Sequence, residues 1–226
     1  MPVLSYIVTA LAAYLLGSIP TGYLAAKAKG IDIRTVGSGN IGATNAMRVL
    51  GKPLGTLVLL GDALKGFAAV AWLAPYIFDQ FTPTDFWIKQ SDVHARMNLI
   101  ANFGVIAGVC AVLGHNYTCW LRFKGGKGIA TTAGVYLALA PVAVSIAVVA
   151  WIIFTLLTRY ASVGSLAAAI ALPTVVWFTK DSTLLGIVTT GLGLLAICKH
   201  KSNIQRLRAG TESRIGKKTP AAEEAK

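Results

Sequence analysis

Residues 129–158 read IATTAGVYLALAPVAVSIAVVAWIIFTLLT, an unbroken apolar run of about 30 residues with Pro141 near its middle. A spanning helix needs about 20 residues, so the run is long for one crossing and short for two. Pro141 lacks a backbone N–H and crowds the carbonyl four residues earlier, so it favours a break after Leu137-Ala138-Leu139-Ala140. Further apolar runs lie at about 3–26, 54–78, 97–121, 161–178 and 183–199, each near spanning length. The chain is 55% hydrophobic and 13% charged, with a mean hydropathy of +0.64. That is outside the range of an ordinary soluble domain and places the chain among all-α integral membrane proteins.

Charge parity decides how the fourth run is read. With the amino terminus outside, the loop at 27–53 is cytoplasmic, that at 79–96 external and that at 122–128 cytoplasmic. One span over 129–158 would put the carboxyl-terminal basic segment, with Lys199, Lys201, Arg206, Arg208, Arg214, Lys217 and Lys218, outside. This opposes the positive-inside tendency, and two short spans turning near Pro141 restore it. Of 21 Lys and Arg, only Lys89, Arg96 and Lys180 then fall outside and Lys65 within a span, leaving seventeen inside. The expectation is a bundle of about seven transmembrane helices, amino terminus outside and carboxyl terminus cytoplasmic.

The net charge of +12 sits in short loops and the tail, where membrane orientation explains it before nucleic-acid binding does. No charged side chain precedes Lys27, so the first run reads as an uncleaved helix. Cys110, Cys119 and Cys198 are odd in number and scattered, and point to neither a disulfide framework nor a metal site. The loop Asp79–Arg96 carries Asp79, Asp85 and Asp92, with Phe81, Phe86 and Trp87 suited to a membrane interface. Residues 1–208 read as a single transmembrane domain, and 209–226 as a polar tail expected to be disordered.

Three polar clusters interrupt the apolar runs. The first is Gly37-Ser38-Gly39-Asn40-Ile41-Gly42-Ala43-Thr44-Asn45, followed by Arg48. Glycines let backbone N–H groups approach a ligand, Ser, Thr and Asn add neutral donors, and Arg supplies the fork that holds phosphate. A flexible linker would carry more acidic or Lys filler, so phosphate binding is the reading taken. Asn40 and Asn45 are expected to shape this loop.

The second cluster, Arg122-Phe123-Lys124-Gly125-Gly126-Lys127-Gly128, opens an apolar helix. Helix-start N–H groups, a glycine wrap and Lys127 suit an oxyanion. Leu121 and Gly128 stand where a Walker A loop needs Gly and Ser or Thr, so nucleotide hydrolysis loses its best support. A basic loop that only sets topology accounts for Arg122 and Lys124 but not for three glycines around Lys127.

The third runs from His200-Lys201-Ser202-Asn203 to Leu207, with Gly210 and Glu212 beyond. On a helix continuing past Lys199, His200, Asn203 and Leu207 share a face. A shared ligand and a plain cationic helix end stay open as readings for His200 with Asn203. Ser162 can cap the helix that follows Arg159-Tyr160. Asp62 and Lys65, three apart within a span, read as an internal ion pair. His115-Asn116 is either polar lining or a headgroup-level anchor. The clusters at 37–48, 122–128 and 200–207 fall on the cytoplasmic side of the expected topology, and one basic site drawn from several loops is the economical inference.

Together with Gly17-Ser18-Ile19-Pro20-Thr21-Gly22, these clusters closely resemble those of the bacterial acyl-phosphate:glycerol-3-phosphate acyltransferases, over nearly the whole chain. The resemblance implies a seven-helix membrane bundle in the bacterial inner membrane, multi-pass, with its active site on the cytoplasmic face. It implies transfer of a fatty acyl group from acyl phosphate to the 1-hydroxyl of glycerol 3-phosphate, giving 1-acylglycerol 3-phosphate and phosphate. Membrane lipids and a soluble enzyme that makes acyl phosphate are the implied partners, with no nucleic acid, no cofactor and no metal.

Carried onto this chain, it implies catalytic roles for Ser38, Arg48, Lys127, His200 and Asn203. The implied phosphate-binding set is Ser38, Gly39, Asn40, Thr44, Asn45, Arg48, Gly125, Gly126, Lys127, Gly128, Ser162, His200 and Asn203. The His and Asp spaced five apart of acyl-CoA-dependent glycerolipid acyltransferases is missing: five after His94, His115 and His200 stand Leu99, Trp120 and Gln205. No Ser-His-Asp order or Cys-His pair supports a covalent intermediate, so direct attack is expected, with His200, water and a substrate phosphate open as proton acceptors and the phosphate favoured for its second pKa near neutrality. A transporter of a phosphorylated solute is the competing reading, but repeats and a midplane site are not visible. A structural subunit that gathers acidic lipid would explain the tail and none of the glycines.

Overall fold

The computed structural model describes residues 2–81, 93–180 and 182–216. Asp85, Phe86, Trp87, Lys89 and Asp92 of the acidic external loop, and the tail from Lys217, lie outside the described residues. In chain order the helices are α1 Pro2–Ser18, α2 Thr21–Lys27, α3 Ala43–Leu50, α4 Lys52–Ala68, α5 Ala74–Phe81 and α6 Val93–Asn116. They continue with α7 Ile129–Leu139, α8 Pro141–Thr158, α9 Ala161–Thr179, α10 Thr183–Lys199 and α11 Lys201–Arg208. Among the described residues there is no strand.

Among the described residues, five helical stretches are long and apolar enough to cross a membrane: Val3–Lys27, Lys52–Phe81, Arg96–Leu121, Pro141–Thr158 and Ala161–Thr179. A sixth is added if α10 and α11, bent by 51°, count together. The expected break at Pro141 is present, because Ala140 leaves helical geometry at φ −150° and Pro141 opens α8. The reading of seven spans counted α7 as one; with 11 residues it is a shorter apolar helix, about half the hydrocarbon thickness in length. Between α4 and α5 the chain widens into a π-turn at Ala69–Leu73. Pro75 explains this, since it can neither donate to the carbonyl of Ala71 nor avoid crowding it.

The chain forms two compact units. One comprises residues 1–19 and 62–139. Its core joins Ala13 of α1, Ala69 and Ala74, Phe78 of α5, and Phe103, Ala107 and Ala111 of α6. Small residues let α1 and α6 meet backbone to backbone, and a Cβ on Gly17 would run into the main chain of Ala111. Side chains then tie the ends together: Ser18 Oγ donates to Gly114 O at 3.3 Å and Thr118 Oγ1 to Ser18 O at 2.6 Å.

The other unit comprises residues 20–61 and 140–226. Here α9 packs on α8 and α10, with Gly164 set against Thr155 and Trp151. Leu156, Leu157 and Phe178 point outward, 73%, 77% and 86% exposed. Apolar side chains at such exposure suit a hydrocarbon surround, where water need not be excluded from them.

Candidate functional site

In the second unit, the loop before α3 is shaped from within by its two asparagines. Asn45 is 2% exposed, its Oδ1 accepts from Ser38 N at 2.8 Å, and its Nδ2 donates to Ile33 O, Val36 O and Asn40 O. Asn40 Oδ1 accepts from Gly42 N at 2.8 Å. Gly37 and Gly39 take φ of +61° and +69°, a left-handed backbone that side chains resist. A Cβ on Gly37 would also strike Asn45 Oδ1. The result is a rigid turn with Ser38, Gly39 and Thr44 exposed, leading to a helix start that Gly42 leaves without a side-chain cap. The asparagine amides are thus spent on the loop, while Ser38, Thr44 and Arg48 keep side chains on its outside.

Arg48 is half-buried, and its Nη2 donates to Ser213 O at 3.1 Å. Burial holds its pKa below the ordinary arginine value, the nearby Glu212 charge raises it and that of Arg206 lowers it. The guanidinium remains a cation at any working pH.

Glu212 gathers the rest of this unit's polar residues. Its side chain is 4% exposed; Oε1 accepts from Asn203 Nδ2 at 2.7 Å and Ser162 Oγ at 2.9 Å, and Oε2 from Arg206 Nε at 2.7 Å. Burial pushes its carboxyl up, but the three donors and the Arg206 charge outweigh that and leave its pKa below the usual carboxylate range. Glu212 is therefore an ionised organiser of Ser162, Asn203 and Arg206. Residues 209–216 belong to the folded unit, with Ile215 N donating to Arg159 O and Arg214 Nε to Tyr160 Oη.

Two local expectations are corrected. Tyr160, not Ser162, holds the cap position of α9, and Ser162 in the first turn turns its hydroxyl to Glu212. The helix does not run straight past Lys199: His200 takes φ −92° and ψ 7° at the bend into α11. His200 Nδ1 lies 2.7 Å from Ala196 O, and a carbonyl can only accept, so Nδ1 carries the proton and a neutral ring has its lone pair at Nε2. His200 and Asn203 are both buried, one bonded back to α10 and the other forward to Glu212.

In the first unit, the loop 122–128 is moulded onto His115-Asn116 at the end of α6. Gly125 N donates to Asn116 O at 3.2 Å and Gly126 N to His115 O at 3.0 Å. Arg122 and Phe123 turn the chain through the left-handed region at φ 53° and 59°, and Gly128 does so at φ 79°. Gly126 and Gly128 are buried, Lys127 between them is half-buried, and α7 begins directly after. His115 and Asn116 are 5% and 1% exposed, which places them beneath this loop and not at headgroup level. Asp62 and Lys65 form the expected ion pair, Lys65 Nζ to Asp62 Oδ1 at 2.9 Å, both buried.

Across the chain, the family described as Glycerol-3-phosphate acyltransferase matches residues 7–210. The Glycerol-3-phosphate acyltransferase of Geobacter metallireducens is 50% identical over 203 residues, 90% of this chain and 94% of that protein. The chain belongs to the glycerol-3-phosphate acyltransferase family. The acyltransferase also resembles a solved structure, PlsY (YgiH), an integral membrane glycerol 3-phosphate acyltransferase in its glycerol 3-phosphate form. There the TM-score is 0.79 at 36% identity, covering 94% of this chain and 96% of that one. The lysophosphatidic acid form of that protein gives a TM-score of 0.76 at 35% identity.

Among the residues named from sequence, the acyltransferase brings Ser162 and Asn203 onto one carboxylate and sets Ser38, Thr44 and Arg48 around one loop and its helix. Lys127 and the glycines at 125, 126 and 128 lie together in the loop that follows α6, in the first unit. Sequence reading missed Glu212 as the organiser, since an acidic residue beyond Gly210 in a basic tail looks like solvated charge. It also missed that His115 lies between the second loop and the Asp62–Lys65 pair, its Nδ1 3.4 Å from Asp62 Oδ1. Among the described residues no group of three or more His, Cys, Asp and Glu could hold a metal ion.

Proposed function

We propose that this acyltransferase moves a fatty acyl group from acyl phosphate to the 1-hydroxyl of glycerol 3-phosphate, giving 1-acylglycerol 3-phosphate and inorganic phosphate, the opening step of phospholipid synthesis. The observation that carries the reading is the likeness, over almost the full length of both chains, to a protein solved with glycerol 3-phosphate and with lysophosphatidic acid. Both substrates carry phosphate, and the chain offers two glycine-rich loops with a cation on each, Arg48 and Lys127. Ser38, Gly39, Asn40, Thr44, Asn45 and Arg48 serve as one phosphate-binding loop, and Gly125, Gly126, Lys127 and Gly128 as another. Ser162, His200 and Asn203 complete the phosphate-binding set, held in place by Glu212 and Ala196 O.

Acyl phosphate is a mixed anhydride, already activated. The hydroxyl oxygen attacks the acyl carbon, the carbon–oxygen bond to phosphate breaks, and phosphate leaves with the electron pair. The residues position the hydroxyl and offset charge on the carbonyl oxygen and the departing phosphate. A substrate phosphate, with its second pKa near neutrality, accepts the hydroxyl proton. Glu212 is a poor candidate for that base, because its carboxylate is ionised, buried and bonded to three donors.

The reaction is placed at the cytoplasmic face of a bacterial inner membrane, amino terminus outside, where a soluble enzyme that makes acyl phosphate supplies the donor. Purified protein in detergent is expected to release phosphate and form lysophosphatidic acid from acyl phosphate and glycerol 3-phosphate. Turnover with acyl-CoA alone would overturn the donor. Arg48→Ala and Lys127→Ala should each abolish turnover in folded protein, and near-normal rates in both would remove the two-phosphate assignment. Single cysteines placed at Lys124 and Lys201 should react with an impermeant thiol reagent only from the cytoplasmic side.

A further inference from the structure

Beneath the Lys127 loop lies a buried polar chain that the reaction as described does not use. Asp62 and Lys65 are 1% and 5% exposed within the span Lys52–Phe81, where ionised side chains are costly unless held by partners. Lys65 Nζ lies 2.9 Å from Asp62 Oδ1 and donates to Ile19 O at 2.8 Å. That pair alone balances its charge. A third group nonetheless faces the same carboxylate oxygen: His115 Nδ1, at 3.4 Å.

The far edge of the imidazole meets the glycine loop. A Cβ on Gly126 would collide with His115 Nε2, and one on Gly125 with the His115 carbonyl. The same residue receives the Gly126 N–H on its backbone oxygen at 3.0 Å. Asp62 therefore lies beside one edge of the ring, at a distance and angle that make no hydrogen bond, while the other edge presses on Gly126, one residue before Lys127. Its neighbour repeats the pattern, since Asn116 O accepts from Gly125 N and a Cβ on Gly128 would lie 2.7 Å from Asn116 Oδ1.

We propose that His115 is a positioning residue that holds the Gly125–Gly128 turn, and with it Lys127, in its phosphate-binding shape. This rests on the reading that the Lys127 loop binds a substrate phosphate. Its physical content is that the imidazole fills the floor of the turn while the His115 carbonyl holds the Gly126 N–H, so ring and main chain together fix the backbone on either side of Lys127. Glycine at 126 follows from the ring beneath it.

The test is a double-substitution cycle on full-length protein in detergent, with KM measured for acyl phosphate and for glycerol 3-phosphate. His115→Ala and Gly126→Ala are each expected to raise one of these KM values about tenfold, through loss of loop geometry, with a smaller change in kcat. The two should not add: with the ring gone, the methyl at 126 has room, and the double variant should match His115→Ala alone. His115→Asn, which keeps part of the ring's bulk beneath Gly126, should recover part of the loss. A purely structural role would instead lower the unfolding temperature and leave both KM values in place. Unchanged KM values for both substrates in folded Gly126→Ala, or additive effects in the cycle, would overturn the proposal. If His115→Ala does not fold, Gly126→Ala and His115→Asn carry the same comparison. Lys127→Met is measured alongside: if it leaves kinetics unchanged, the phosphate reading of the loop fails, whereas a large Lys127→Met effect with silent His115 and Gly126 variants sinks the positioning role alone.

Discussion

Asn203 Nδ2 donates to Glu212 Oε1 at 2.7 Å, across nine residues of chain that include the end of α11 and the left-handed turn at Gly210. The same oxygen takes the Ser162 hydroxyl, 50 positions away in sequence. One carboxylate thereby sets the direction of two side chains assigned to phosphate binding.

Replacing that carboxylate should loosen both. Glu212→Ala strands Ser162, Asn203 and Arg206 together and should cost about 3 kcal/mol of stability, the low end for a broken buried pair because Arg206 is a third exposed. Glu212→Gln keeps one carbonyl oxygen for Ser162 and Asn203 and should cost less. Thermal unfolding in detergent, with acyl transfer measured on the folded fraction, distinguishes the two; equal stability of wild type and Glu212→Ala would contradict the organiser role.

Acid should expose the same contact. The folded Glu212 carboxyl titrates below the usual range, so its stabilisation is fully present above about pH 4.3, the unfolded glutamate value, and is lost as pH falls through the lower folded value. The unfolding temperature of wild type should drop more steeply below that pH than that of Glu212→Gln. Parallel acid curves would mean that Glu212 is not ionised by its three partners.

Two glycines with nearly the same backbone should behave differently. Gly30 and Gly37 have φ of +74° and +61°, but a Cβ at 30 meets nothing within 4 Å whereas one at 37 meets Asn45 Oδ1. Gly30→Ala should cost only the left-handed backbone penalty, about 1–2 kcal/mol, and keep its kinetics. Gly37→Ala should displace Asn45, undo the loop and lower kcat/KM by about a hundredfold or more, as misplaced positioning groups do. Equal kinetics for the two variants would show that the loop's shape does not depend on Asn45.

A similar pair reports on helix packing. A Cβ on Gly164 would meet Thr155 Oγ1 and the Trp151 carbonyl, while one on Gly191 meets nothing within 4 Å. Gly164→Leu should separate α8 from α9 and abolish monodisperse protein on size exclusion. Gly191→Ala should leave yield and elution unchanged.

The apolar runs, the break at Pro141 and the membrane class were legible in the chain because each depends on a local stretch: its length, its hydropathy and one missing N–H. The family too was legible, through short glycine-rich words that survive as contiguous sequence. That Asn40 and Asn45 brace their own loop could be anticipated, since side chains so near in sequence readily bond the backbone beside them. The bend at His200 was hidden, because nothing in Lys199-His200-Lys201 breaks a helix by composition. Ser162 with Glu212, and His115 with Asp62, depend on approaches between residues some fifty positions apart, for which propensity and periodicity carry no signal. Sequence alone determined which segments are apolar and where the polar words stand between them. Only the tertiary structure decided which buried carboxylate each polar side chain answers to, because a charge removed from water takes the partners that packing brings within reach.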